Sequence, residues 1–132
     1  IPSGLIRHAR NAARRLTLST KSLENALGHS LTEPKHHVVF EPPQSPLPPK
    51  QFKAALSTSG ACLDRRTRLL YGTTGAYING DLVALTGKNR SIIHELADTR
   101  VLRFGSRIDT HVCEILHRWY VHGWLHLGHQ EL

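Results

Sequence analysis

The stretch from Leu63 to Asp81, LDRRTRLLYGTTGAYINGD, decides how the rest of the chain is read. Leu63, Arg65, Thr67, Leu69 and Tyr71 fall on one face of a period-two strand, with Arg66 and Arg68 on the other. Gly72-Thr73-Thr74-Gly75 supplies the permissive backbone of a short turn, and Ala76 to Ile78 gives the returning strand. Asn79-Gly80-Asp81 signals a second turn, because Asn and Gly accept positive φ at little steric cost. The stretch predicts a β-hairpin that opens a C-terminal unit.

On the C-terminal side of the hairpin, Leu82 to Leu85 is a brief apolar run, and Lys88 or Asn89 starts a helix. That helix carries Ile92, Ile93, Leu96 and Ala97 on one face and Arg90, His94 and Glu95 on the other. Val101 to Phe104 reads as a short strand or tight connection. Ser106 and Asp109 have capping-box spacing, and Ile108, Val112, Ile115, Leu116, Trp119 and Tyr120 then trace an apolar stripe along a helix that Gly123 stops. Trp124 to Leu127 returns as a last strand. On the N-terminal side, Pro48 or Pro49 initiates a helix over Lys50 to Leu56, with Phe52, Ala55 and Leu56 inward and Gly60 after its end. Helix, hairpin, helix, helix and strand predict an α+β fold: a winged-helix-like domain of helices with a small antiparallel sheet over residues 50–132.

A helical segment over residues 1–40 and a Pro-rich linker over residues 41–49 precede that domain. The linker, EPPQSPLPP, has five prolines in nine residues, which enforces an extended, semi-rigid path. Leu5 to Leu16 has helical spacing and a basic surface of Arg7, Arg10, Arg14 and Arg15. Ser19 or Thr20 caps a second helix, with Leu23, Ala26 and Leu27 as its buried face and Gly28 placed to end it. Neither helix is large enough to bury itself, so both are expected to pack on a second copy of the chain or on an upstream domain. Pro34 breaks the helical pattern. His36 to Phe40 then runs extended, with one of His36 and His37 inward and the other exposed.

The 132 residues carry a formal charge of +7, with ten His able to add to it in mild acid. Such a balance suits an anionic partner such as RNA, DNA or a ribosomal surface. Arg65, Arg66 and Arg68 on the hairpin, with Lys88 and Arg90 at the start of the following helix, are the candidate nucleic-acid or partner contacts. Cys62 and Cys113 lack metal or redox spacing and read as small apolar core residues in a reducing compartment. No run has the length of a membrane span or the form of a signal peptide, which makes the cytoplasm the default. The chain begins at Ile1 and contains no Met, the expectation being the tail of a longer protein or the product of a broken reading frame.

The glycines of the hairpin are turn residues, and Gly87-Lys88 lacks the spacing of a phosphate loop. His117 and Glu114 stand one helical turn apart, but a third metal ligand would have to come from elsewhere. No catalytic or metal-binding residue is assigned.

Several islands carry a family resemblance: Leu27-Gly28 with Leu31-Thr32-Glu33-Pro34-Lys35, Val39-Phe40-Glu41-Pro42-Pro43, and Leu63 to Tyr71 with Tyr77-Ile78-Asn79-Gly80-Asp81. Leu96-Ala97-Asp98-Thr99-Arg100 and Trp119-Tyr120-Val121-His122-Gly123-Trp124-Leu125 continue it. In this order and spacing they resemble the C-terminal part of bacterial cupin-like JmjC oxygenases. The resemblance implies a parent enzyme that uses iron(II) and 2-oxoglutarate to hydroxylate a ribosomal protein, on arginine. It also implies a layout of catalytic barrel, helical dimerisation region and terminal winged helix. This chain supplies the last two, as a homodimer with no cofactor of its own. The alternative is a free-standing winged-helix nucleic-acid-binding protein. Against it, the Ser106 to Val121 helix offers only Arg107 and Arg118 beside Asp109 and Glu114, so nucleic acid is not the favoured partner.

Overall fold

The computed structural model describes residues 21–73, 75–103, 105 and 108–128. They form α1 (residues 21–32), α2 (Pro49–Ser59), β1 (Ala61–Leu63), β2 (Leu69–Tyr71), β3 (Gly75–Ile78), β4 (Asp81–Ala84), α3 (Arg90–Thr99), β5 (Val101–Leu102), α4 (Thr110–Val121) and β6 (Leu125–Leu127). Among the described residues there are two antiparallel three-stranded sheets, ordered β5-β1-β6 and β2-β3-β4. The basic helix expected over Leu5 to Leu16 lies outside the described residues.

The single strand expected from Leu63 to Tyr71 is broken in two, and its halves belong to different sheets. Asp64 is the cause. Its carboxylate accepts from the Arg66 backbone N–H at 2.9 Å, and its carbonyl accepts from Thr67 N–H at 2.9 Å. This closes an Asx turn where a continuous strand would need extended backbone. The chain leaves the first sheet there and enters the β2–β3–β4 sheet at Leu69.

The second turn signal is realised as read. Ile78 pairs with Asp81, so Asn79 and Gly80 alone make the β3–β4 turn, with φ of 47° and 92°. Positive φ at both positions gives the loop a twist that matches the flanking strands, and Asn-Gly adopts it cheaply.

The core lies between α2, α4 and the β5–β1–β6 sheet, with α3 and the inner face of β3 completing it. The stripe along α4 is buried as its spacing predicts: Val112, Ile115, Leu116, Trp119 and Tyr120 all face inward. Asp109 caps this helix by accepting from His111 N–H at 2.9 Å, while Ser106 lies outside the described residues. Phe52 from α2 packs against the Tyr120 and His117 rings at centroid distances of 4.9 and 5.2 Å. Pro49 begins α2, where its missing N–H costs nothing.

Residues 21–48 are bound to this body. The Pro-rich stretch runs extended along α4, where Leu47 N–H donates to the Tyr120 hydroxyl at 3.1 Å and the His117 ring donates to the Leu47 carbonyl at 2.9 Å. Helix α1 seats on the β2–β3–β4 sheet and continues through Gly28 to Thr32 instead of ending at Gly28. Gly28 is where the Tyr77 ring meets the helix, and a Cβ there would overlap the ring. A residue that looks like a helix stop is thus a point of close approach. The fully buried Thr32 hydroxyl donates to the Gly28 carbonyl at 2.8 Å and accepts from Gly80 N–H at 2.9 Å. Thr32→Val keeps the shape but orphans the Gly80 amide, and is expected to cost about 1–2 kcal/mol. A urea midpoint lowered at unchanged slope is the readout.

Candidate functional site

The Asx turn at Asp64 and the end of α1 together create a cleft. A cavity of about 220 Å³ is lined by Thr32, Pro34, Lys35, His37, Val38, Arg65, Arg66 and Arg68. The structure thus brings Arg65, Arg66 and Arg68 to one place and adds Lys35 and His37, which were not among the expected contacts. No carboxylate lines this wall. Among the described residues the side chains of Arg65 and Lys35 have neither a hydrogen bond nor an ion pair, and both are exposed. Arg68 is held loosely, its guanidinium 3.4 Å from the Leu31 carbonyl.

Arg66 has a different task. Its Nε and Nη2 donate to the two Asp64 carboxylate oxygens at 2.8 and 3.0 Å, and its Nη1 to the Val39 carbonyl at 2.7 Å. The His126 ring reaches the same carboxylate at 2.7 Å. Burial alone would push the Asp64 carboxyl up, but the hydrogen bonds from Arg66 and His126 outweigh it and hold the group well below the usual carboxylate range. Arg66 is therefore a structural cation that positions the cleft wall. The free charge of the cleft comes from Lys35, Arg65 and Arg68.

Lys88 and Arg90 do not join this cluster. Lys88 pairs with Asp109 at 3.9 Å on an exposed surface, a contact worth little in water. Arg90 donates to the Thr73 carbonyl at 3.3 Å. Neither lines the cleft. His36 and His37 are both exposed, not one in and one out. Val38 N–H donates to the Lys35 carbonyl at 2.8 Å, so the pair sits in a turn where strand alternation does not apply.

A second surface is apolar. Leu23, Leu27 and Leu31 of α1 stand 59, 50 and 55% exposed, and Ala26 is exposed beside them. The face expected to be buried is open on the single chain, because Glu24, Asn25, Gly28 and Thr32 are residues that meet the sheet. With Leu70, Tyr71 and Tyr77 the leucines border a groove of about 320 Å³.

Among the described residues no group of three or more His, Cys, Asp or Glu could hold a metal ion. His117 and Glu114 do not converge on one, since the His117 ring turns to Leu47 and Phe52. The chain has one His-x-Glu triplet, His129-Gln130-Glu131, and it lies outside the described residues. Cys62 and Cys113 are free and buried, and burial pushes the Cys113 thiol up, away from nucleophilic use. No helix among the described residues is long and apolar enough to cross a membrane.

Helices packed on small antiparallel sheets, with β2–β3–β4 as an outlying hairpin sheet, define a winged-helix protein of α+β class. More particularly, the chain belongs to the ROXA-like winged helix family, whose pattern matches residues 10–126. Solved structures agree on the fold. The chain superposes on Escherichia coli ycfD with a TM-score of 0.70 at 18% identity, over 95% of this chain and 34% of that one. YcfD, a ribosomal oxygenase from Escherichia coli, in complex with cobalt and 2-oxoglutarate gives a TM-score of 0.69 at 18% identity, over 95% of this chain and 36% of that one. The chain therefore spans about a third of the length of these proteins. No curated protein matches its sequence.

Proposed function

We propose that this chain is the non-catalytic, C-terminal dimerisation and winged-helix portion of an iron(II)- and 2-oxoglutarate-dependent oxygenase that hydroxylates a ribosomal protein on arginine. The observation that carries the reading is the family match over residues 10–126, supported by a fold shared with about a third of a ribosomal oxygenase. The oxidation chemistry belongs to a barrel, and the described residues offer no ligand cluster for iron. The part played by this chain is to hold that barrel in pairs and to present the substrate protein beside it. The apolar groove along α1 supports pairing, since a stripe of leucines at helical spacing next to Leu70 and Tyr71 loses most by facing water. Work on a ribosomal protein suits an assembly in the cytoplasm.

The test is a chimaera in which this chain replaces the corresponding third of Escherichia coli YcfD. Incubated with iron(II), 2-oxoglutarate and the isolated ribosomal protein substrate, it is expected to add one oxygen to the protein, seen by mass spectrometry. The barrel without any replacement is expected to do so poorly. A folded chimaera no better than the bare barrel overturns the reading.

A further inference from the structure

Beyond holding a barrel, the cleft between α1 and the Asp64 turn has the chemistry of an anion site. Lys35, Arg65 and Arg68 converge on it with no carboxylate in the lining, and Asp64, behind the wall, is already engaged by the Arg66 guanidinium and the His126 ring, while Glu41 acts on Arg66 and not on these three. Like charges do not gather at no cost, and here the fold gathers them from segments about thirty residues apart in sequence. The turn that places Arg65 and Arg68 is the same Asx turn that Asp64 closes, so the arrangement is fixed by backbone bonds.

We infer that this cleft binds the phosphodiester backbone of an RNA strand. The donors are exposed, long side chains, which suit a run of phosphates that adds modest attractions along its length better than a single enclosed ion. The one ring among the lining residues is the exposed His37, and a base stacked on it would be held by its π face, which every base has; Phe40 lies outside the lining, under the Arg66 guanidinium at 5.8 Å and against Trp124. Binding is therefore tolerant of sequence. The choice of RNA over DNA rests on the proposed function, in which the chain works beside ribosomal components; the anion site itself does not.

Fluorescence anisotropy of the full chain with a labelled single-stranded RNA dodecamer, across a fourfold range of salt, tests this. Each phosphate contact on a single strand contributes a slope of about −0.7 in log affinity against log salt. The R65A/R68A double variant is expected to flatten the slope by about 1.4, and K35A by about 0.7. The charge-matched K50A/K53A pair on α2 is expected to leave it as in the parent protein. Thermal melts confirm that each variant is folded. Equal slopes for R65A/R68A and K50A/K53A overturn the inference. Displacement of RNA by inorganic phosphate at constant ionic strength would reassign the cleft to a small anion, and displacement by polyglutamate at matched charge would reassign it to an acidic protein. Tighter binding of a DNA dodecamer of the same sequence would refute the choice of RNA. The binding assay needs no oxygenase and the chimaera needs no RNA, so either result can fail alone.

Discussion

Asp64→Ala is expected to lower the stability of this protein by about 3 kcal/mol, a drop of roughly 10 °C in melting temperature for a chain of this size. The Asp64 side chain is 4% exposed and carries four jobs: it accepts from the Arg66 amide, from the Arg66 guanidinium at both oxygens, and from the His126 ring. Its removal leaves a cation against a buried wall and releases the turn that separates β1 from β2. The figure sits at the low end for a broken buried pair because Arg66 and His126 keep 30 and 26% of their side chains in water, where the solvent screens the loss.

The acid dependence has a definite sign. An unfolded aspartate titrates near pH 4, whereas the folded Asp64 carboxyl is held well below that range. Its stabilisation is therefore full above about pH 4 and is withdrawn as the pH falls toward the lower folded value. The stability gap between the parent protein and D64A is expected to narrow as the pH falls below about 4. Chemical denaturation at a series of pH values measures this, and a gap that does not narrow between pH about 4 and about 2 would show that the ionised carboxylate is not the stabilising partner.

The second large effect is on assembly. If α1 pairs two copies through Leu23, Leu27 and Leu31, the L27E/L31E variant places two carboxylates in an apolar interface and is expected to weaken the dimer by about a hundredfold or more. Both residues are already half exposed in the single chain, so the monomer should keep its fold and melt near its parent. Sedimentation equilibrium separates the two. A parent chain that stays monomeric at every concentration reached would sink the pairing, and would hand the groove to the catalytic barrel.

The parts of the fold that were legible in sequence depend on neighbours along the chain. Asn79-Gly80 specifies its own turn, Pro49 its own helix start, and the spacing from Val112 to Tyr120 its own buried face. What was not legible depends on partners far away. Asp64 cuts a strand with a local Asx turn, but the burial that makes its carboxylate a fixed point comes from the docking of a strand whose histidine lies 62 residues later. Gly28 reads as a stop until Tyr77, 49 positions on, is seen to lie against it. The same limit applies to the candidate site. The Arg65, Arg66 and Arg68 cluster is visible in one heptapeptide, but Lys35 and His37 reach it only through the docking of α1, and Lys88 and Arg90 are drawn elsewhere.

That docking has a mechanical side. The His29 ring donates to the Gly80 carbonyl at 2.6 Å and Thr32 receives the Gly80 amide, so the end of α1 is riveted to the tip of a tight turn. Fifteen residues later Leu47 is riveted to α4. Between the two fixings there is little slack. The described turns of α1 are thereby carried at a set bearing to the wing, as on a bracket and not on a string.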